Sequence, residues 1–170
     1  MAGNRFRDKG DGKLTRSVVV EQSRAIPVTV EDAFNQTLPI ALPVICSQWY
    51  GVIPPIKEVR DQTGDWDAAG QTRVIAMVGG GLVRETLTNV DPPRSFSYTL
   101  TDIKGPLAPL VSRVEGKWSF APAGTGTRVA WQWTLHPKSG VSAPLLPLFG
   151  RMWKGYARIV LEKLAEQLVG

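Results

Sequence analysis

The last part of the chain, from Pro144 to Leu168, has the pattern of one long amphipathic helix. Apolar side chains recur there at three- and four-residue intervals, while charged residues occupy the other helical faces. The apolar stripe is bulky and partly aromatic, and it consists of Phe149, Met152, Trp153, Tyr156, Val160 and Leu164. A helix with such a stripe must bury it against another layer of secondary structure.

The preceding part of the chain has the pattern of strands separated by turns rich in Gly, Pro and Asp. The predicted strands are residues 18–26, 56–61, 71–78, 82–90, 95–102, 112–121 and 127–136. Two short helical segments fall between the first two strands, one capped by Thr29 and one restricted by Pro39 and Pro43. This order predicts an α+β fold, in which an antiparallel sheet of about seven strands packs its apolar face on the C-terminal helix.

The inner face of the predicted sheet is aromatic. Period-two alternation places Trp131 and Trp133 on one face of the last strand, and Trp118 on the equivalent face of the strand before it. Tyr98 and its alternate neighbours face the same way. These side chains either fill a solid core or line a cavity.

One carboxylate interrupts the apolar inner face. If the glycines Gly79–Gly81 form a symmetric hairpin loop, Glu85 lies opposite Ile75, with Arg73 and Met77 diagonal to it. If the turn at residues 91–93 closes the next hairpin in even register, Glu85 also lies opposite Tyr98.

We therefore expect a buried polar cluster of Arg73, Glu85 and Tyr98, because a buried carboxylate needs hydrogen bonds or a counter-charge. Three interpretations stay open. The cluster is a structural ion pair, a polar anchor for a ligand, or a general acid/base formed by Glu85 or Tyr98.

Length and charge restrict the classes of protein to which this chain can belong. Its 170 residues suit one domain, and the net charge of +5 is densest in residues 1–16, where five basic residues face two acidic ones. We expect residues 1–16 to be a disordered basic tail and residues 17–170 to be the folded domain. The remaining charge is spread over strands and loops, so we expect no nucleic-acid binding.

The sequence contains no pattern typical of a membrane span or of a signal peptide. No apolar run approaches the ~20 residues of a membrane span, and the N-terminus lacks the apolar centre of a signal peptide. The single cysteine, Cys46, fits a cytoplasmic location and is interpreted as a small buried apolar residue.

No Ser/His/Asp set, metal-spaced His or Cys group or nucleotide-binding fingerprint occurs, so we expect neither a metal nor a cofactor. Asp65 and Asp67 flank Trp66, and we interpret them as an exposed turn with Trp66 packed beneath it rather than a cation site.

Several local patterns carry a resemblance to a known family. They are Gly70-Gln71-Thr72-Arg73-Val74, Glu85-Thr86-Leu87-Thr88, Asp91-Pro92-Pro93, Phe96-Ser97-Tyr98, Gly116-Lys117-Trp118-Ser119-Phe120, Gly126-Thr127-Arg128-Val129-Ala130-Trp131 and the closing helix. In this order and spacing the chain resembles the START-like (SRPBCC) superfamily with its helix-grip fold, and within it the polyketide cyclase/dehydrase and lipid-transport proteins. The resemblance covers residues 17–170.

The resemblance implies a curved antiparallel sheet wrapped around the C-terminal helix, with an apolar cavity between them. The candidate ligand-binding residues are Arg73, Met77, Glu85, Tyr98, Trp118, Trp131, Met152, Trp153 and Tyr156.

Three functions follow as expectations. The leading one is non-catalytic binding or transport of a hydrophobic or aromatic small molecule, lipid- or polyketide-like. The second is a cofactor-independent cyclase or aromatase, with Glu85 or Tyr98 as catalytic candidates. The third is a protein- or membrane-interaction module with a vestigial cavity, in which residues 141–152 make peripheral contact. The sequence predicts no oligomeric state.

Overall fold

A computed structural model describes residues 16–170 of the protein. Apart from Arg16, the predicted basic tail lies outside the described residues. The described chain forms seven strands and three α-helices in the predicted order. The strands are β1 (Val18–Ile26), β2 (Ile56–Arg60), β3 (Thr72–Met77), β4 (Leu82–Asp91), β5 (Ser95–Lys104), β6 (Val111–Ala123) and β7 (Gly126–Pro137). The helices are α1 (Val30–Thr37), α2 (Leu42–Ile45) and α3 (Leu146–Val169).

The strands form one curved antiparallel sheet with the order β1-β7-β6-β5-β4-β3-β2. Because β1 pairs with β7, the first and last strands lie side by side, and β2 forms the opposite edge. The long helix α3 packs against β1 and β7 and also contacts α1 and α2. The helix-grip architecture predicted from the sequence is confirmed.

The helix boundaries follow local chemistry. The Thr29 hydroxyl accepts a hydrogen bond from the amide of Asp32 at 3.1 Å, which caps the start of α1 as predicted. A 3-10 turn at Ala143–Leu145 leads directly into α3, so the predicted start at Pro144 lies within this turn. None of the helices within residues 16–170 is both long enough and apolar enough to cross a membrane.

The hairpin between β3 and β4 closes one residue earlier than predicted. Met77 and Gly81 pair across it, so the loop consists of Val78, Gly79 and Gly80, with both of these glycines at positive φ. Arg73 therefore lies directly opposite Glu85, and the predicted pairing of Glu85 with Ile75 is wrong.

The predicted pairing of Glu85 with Tyr98 is also wrong. The β4–β5 hairpin closes between Asp91 and Ser95, and β4 carries one extra residue, Thr88, in a bulge. Tyr98 pairs with Leu87, while Glu85 pairs with Leu100. Both errors shift the register at Glu85 by two residues, so Arg73, Glu85 and Tyr98 stay on the predicted inner face.

Candidate functional site

A buried ion pair joins β3 and β4 on the inner face of the sheet. The Arg73 Nε donates a hydrogen bond to Glu85 Oε2 at 2.9 Å, and Nη2 donates to Oε1 at 3.4 Å. Arg73 is 6% exposed and Glu85 is 4% exposed. Burial raises the pKa of the Glu85 carboxyl, and the neighbouring Arg73 guanidinium opposes that rise. The pair is charge-balanced, so it presents two polar groups without a net charge.

The indole of Trp66 covers the Arg73 guanidinium, with Cζ 3.9 Å from the ring centroid. Trp66 lies at positive φ in the β2–β3 loop and is buried. The Gln71 side chain holds this loop, since its Oε1 accepts from the amides of Asp67 and Ala68, and its Nε2 donates to the Asp67 carboxylate. The loop therefore presents an aromatic face to the ion pair, as a packed turn.

Tyr98 lies beside the ion pair but bonds to other residues. Its hydroxyl oxygen accepts hydrogen bonds from the indole Nε1 atoms of Trp131 and Trp133, both at 2.8 Å. The predicted cluster thus separates into the Arg73–Glu85 pair and a Tyr98–Trp131–Trp133 group. Burial raises the pKa of the Tyr98 phenol, and the nearby Glu85 carboxylate adds to that rise, so the phenol stays neutral.

Gly116 allows the Tyr98 ring to cross strand β6. Gly116 pairs with Tyr98 on β5 and with Trp133 on β7. A Cβ atom at position 116 would overlap the Tyr98 ring. Because glycine leaves this space open, the phenol lies across the β6 backbone and its hydroxyl reaches the tryptophans of β7.

Stacked tryptophans fill the space between the sheet and α3. Trp118 and Trp131 stack with ring centroids 4.9 Å apart, and Trp153 lies 5.0 Å from Trp131 and 5.3 Å from Trp133. Trp153 is fully buried in this stack. The aromatic groups therefore form a solid block at one side of the inner face.

A cavity of about 90 Å³ remains beside this block. It lies between the inner face of the sheet, helix α2 with its neighbouring segments, and Tyr156 of α3. Its wall is mostly aliphatic and aromatic, and its polar members are Thr37, Cys46, Arg73, Glu85, Tyr98 and Tyr156. Mostly apolar walls with a few polar groups are typical of ligand sites in proteins, and drug-sized ligands occupy larger cavities of roughly 300–1,000 Å³.

The polar side chains on the helical side of the cavity are neutral. Burial raises the pKa of the Cys46 thiol to about 12, although a hydrogen bond with Tyr156 opposes that rise, so the thiol stays protonated and is a poor nucleophile. Burial also raises the pKa of Tyr156. The buried Thr37 hydroxyl has no hydrogen-bond partner among residues 16–170.

Comparison with known proteins identifies the family. The model of the family described as polyketide cyclase / dehydrase and lipid transport matches residues 17–169, almost the whole described chain. The chain belongs to this family. No curated protein sequence matches it significantly.

Solved structures show the same fold. The crystal structure of Ara h 8.0201 is similar with a TM-score of 0.68 at 17% identity, covering 91% of this chain and 99% of that one. A structural-genomics structure of a protein from Nitrosospira multiformis is similar with a TM-score of 0.63 at 15% identity, covering 89% and 96%. At these identities the likeness concerns the fold alone.

In this member of the polyketide cyclase/dehydrase and lipid-transport family, seven of the nine candidate residues line the cavity. They are Arg73, Met77, Glu85, Tyr98, Trp118, Trp131 and Tyr156. Trp153 does not line it, because it lies in the aromatic block. Met152 does not line it either, because its side chain lies against Gly51 in the α2–β2 connection.

Sequence reasoning missed several residues that shape the site. Trp133 faces inward as predicted and also lines the cavity, but it was not among the candidates. Thr37 and Cys46 line the cavity from the helical side, and Trp66 covers Arg73 from a loop. The signal for Trp66 was an aromatic residue in the polar loop that precedes the strand of the inward-facing Arg73.

The described residues contain no cluster of side chains that could hold a metal ion in this site. Within residues 16–170, no three His, Cys, Asp or Glu side chains are arranged to hold a metal ion. The side chains that line the cavity can pack against a mostly apolar molecule, and those of Tyr98 and Arg73 can donate hydrogen bonds to an acceptor atom that it carries.

Proposed function

We propose that this protein binds a small, neutral, hydrophobic molecule in the cavity between the sheet and the helices. The observation that carries the proposal is the cavity itself, which is enclosed mostly by apolar side chains and contains one charge-balanced ion pair. Apolar walls supply affinity without direction, while a few polar groups orient the ligand.

Charge balance supports a neutral ligand. Arg73 and Glu85 already compensate each other, so a charged ligand would bring an unpaired charge into a low-dielectric space. Such burial is costly unless a counter-charge is present. Cavity size supports a compact ligand, because about 90 Å³ is well below the volume that drug-sized molecules occupy.

The site gives less support to a cyclase or aromatase function. The Glu85 carboxylate is bonded to Arg73, and the pKa of Tyr98 is raised, whereas efficient acid/base groups have pKa values near the working pH. A polyketide chain would also need a larger space than this cavity offers.

Toluene and benzoate test the proposal as a neutral and a charged probe. We expect toluene to raise the melting temperature of the protein and benzoate at the same concentration to leave it unchanged. Val83→Phe should abolish the toluene effect, because the buried Val83 side chain lines the cavity and the larger ring fills it.

The matched control is Val19→Phe, the same substitution at a position on β1 that is 59% exposed. Val19→Phe should keep the toluene effect. The proposal is wrong if toluene has no effect on the wild-type protein, or if its effect is the same in Val83→Phe.

Exposed apolar side chains before and within the first turn of α3 favour a second candidate function, peripheral contact with an anionic membrane surface. Val141 is 85% exposed and Leu148 is 69% exposed, and the exposed basic residues Arg151 and Lys154 follow on the helix. Adjacent apolar and basic residues are typical of helices that lie in a membrane interface. We expect the protein to sediment with phosphatidylserine-containing vesicles and Leu148→Ser to do so less. Equal sedimentation of both proteins, or none, would refute this candidate.

A further inference from the structure

The hydrogen bonds of Tyr98 leave its own proton without an acceptor. An indole N–H is a donor only, so the bonds from Trp131 and Trp133 have one possible direction. The phenol oxygen therefore accepts twice, which uses both of its lone pairs. Within residues 16–170 the Tyr98 hydroxyl donates to no oxygen or nitrogen, although it is buried at the cavity wall.

A buried hydroxyl whose proton has no acceptor is costly to leave unpaired. Because its oxygen accepts two hydrogen bonds, the Tyr98 hydroxyl is also a strong donor. A buried hydroxyl without an acceptor loses the hydrogen bond that water would supply. Hydrogen bonds accepted by the phenol oxygen polarise its O–H bond, so the proton becomes a better donor to a third group. The phenol keeps this proton at neutral pH, because burial raises its pKa.

The fold holds this donor in one position. Gly116 leaves room for the ring to cross β6, and the two indoles hold the oxygen from the β7 side. Trp131 in turn stacks on Trp118 and packs on Trp153, so the donors themselves cannot easily move. Such preorganisation lowers the entropy cost of binding a group that meets the donor.

We propose that Tyr98 donates a hydrogen bond to a carbonyl oxygen of the ligand, so the ligand class is a compact neutral ketone or a similar carbonyl compound. This inference rests on the proposed function and deepens it. A pure hydrocarbon of the same shape fills the cavity but leaves the Tyr98 donor unpaired.

Cyclohexanone and methylenecyclohexane test the inference, because they differ in shape mainly by C=O against C=CH2. We would measure the affinity of both for the wild-type protein by NMR titration and express it as the ketone-to-alkene ratio. In Tyr98→Phe this ratio should fall roughly three- to tenfold, the range of one neutral hydrogen bond.

Two matched variants identify the donor. Tyr50→Phe removes the hydroxyl of a tyrosine that lies against Gly155 of α3 rather than on the cavity wall, so the ratio should stay at the wild-type value. Thr37→Val removes the unpartnered Thr37 hydroxyl, which is the competing donor on the cavity wall. If Thr37→Val lowers the ratio and Tyr98→Phe does not, the assignment to Tyr98 is wrong.

A measurement on the wild-type protein covers the case in which Tyr98→Phe fails to fold. The infrared carbonyl stretch of bound cyclohexanone should lie below its frequency in an apolar solvent, because a hydrogen bond weakens the C=O bond. An unshifted stretch, or an equal ratio in wild type and Tyr98→Phe, would overturn the inference while leaving the proposed function intact. Failure of both probes to bind would overturn the proposed function as well.

Discussion

Replacing Arg73 with methionine should leave the Glu85 carboxylate buried without a counter-charge. Methionine keeps most of the apolar stem that packs in the wall but removes both hydrogen bonds to the carboxylate and the guanidinium over Trp66. Breaking one half of a buried ion pair typically costs about 3–5 kcal/mol, because the remaining charge is uncompensated. The expected result is a marked loss of stability at neutral pH.

The loss should depend on pH with a definite sign. Without Arg73, burial alone acts on Glu85, so its pKa in the folded protein lies further above the ordinary value of 4.5. When the pKa of a carboxyl is higher in the folded protein than in the unfolded chain, its contribution to stability is fully present below about pH 4.5. This contribution is lost as the pH rises toward the pKa of the folded protein. Each pH unit changes the free energy of unfolding by at most about 1.4 kcal/mol, so the added loss between pH 4.5 and pH 7 is at most about 3.5 kcal/mol.

Urea denaturation of wild type and Arg73→Met at pH 4.5 and pH 7 measures this effect. We expect the free energy of unfolding of Arg73→Met to be about 3 kcal/mol lower than that of the wild type at pH 7. At pH 4.5 we expect a clearly smaller difference between the two proteins. Adding Glu85→Gln to the variant should recover most of the loss at pH 7, because it removes the unpaired charge.

The matched control is Arg84→Met, since Arg84 pairs with Asp102 at 3.1 Å but both side chains are largely exposed. An exposed pair should contribute less than about 1 kcal/mol. A loss in Arg73→Met that is the same at both pH values, or no greater than that of Arg84→Met, would refute the buried-pair reasoning.

The other predictions concern the aromatic crossing, the buried thiol and the cavity wall. Gly116→Ala should displace the Tyr98 ring and cost about 1–3 kcal/mol in urea denaturation, and unchanged indole N–H resonances in this variant would show that the ring does not cross β6. The Cys46 thiol, with its pKa raised from 9.0 to about 12, stabilises the fold fully below pH 9 and loses this contribution above it. Cys46→Ala should therefore reduce the stability loss between pH 8 and pH 10 by about 1.4 kcal/mol, and an identical alkaline slope in both proteins would contradict the raised pKa. Leu100→Ala should lower the free energy of unfolding by about 2–5 kcal/mol, and saturating toluene should restore part of this loss, because Leu100 lines the cavity. Leu135 is buried away from the cavity, so Leu135→Ala should lose as much stability and toluene should not restore it. Equal recovery in both variants would place the bound toluene outside this cavity.

The sequence predicted which side chains face inward better than it predicted their partners. Period-two alternation assigned Arg73, Glu85 and Tyr98 to the inner face, and the register of the sheet keeps all three there. Their partners depend on where each hairpin closes, and this is determined by the positive φ of Gly79 and by the extra residue Thr88. Neither feature is visible in the alternation of apolar and polar residues.

The cavity itself depends on side-chain packing in three dimensions. Trp153 and Tyr156 belong to one apolar stripe of α3, yet Trp153 fills the aromatic block while Tyr156 reaches the cavity. Helical periodicity predicts which face of a helix is buried, but it does not predict which part of the sheet each residue of that face packs against. Gly116 carried a usable signal, since a glycine on an otherwise apolar inner face indicates that another group passes close to the backbone.

The proposed function requires that a small neutral molecule enters the cavity, and intermolecular nuclear Overhauser effects test this entry directly. With the protein saturated by toluene, we expect cross-peaks between toluene and the cavity-lining side chains of Leu100, Trp118 and Tyr156. Cross-peaks confined to exposed Val141 and Leu148, or none at saturating toluene, would contradict the account.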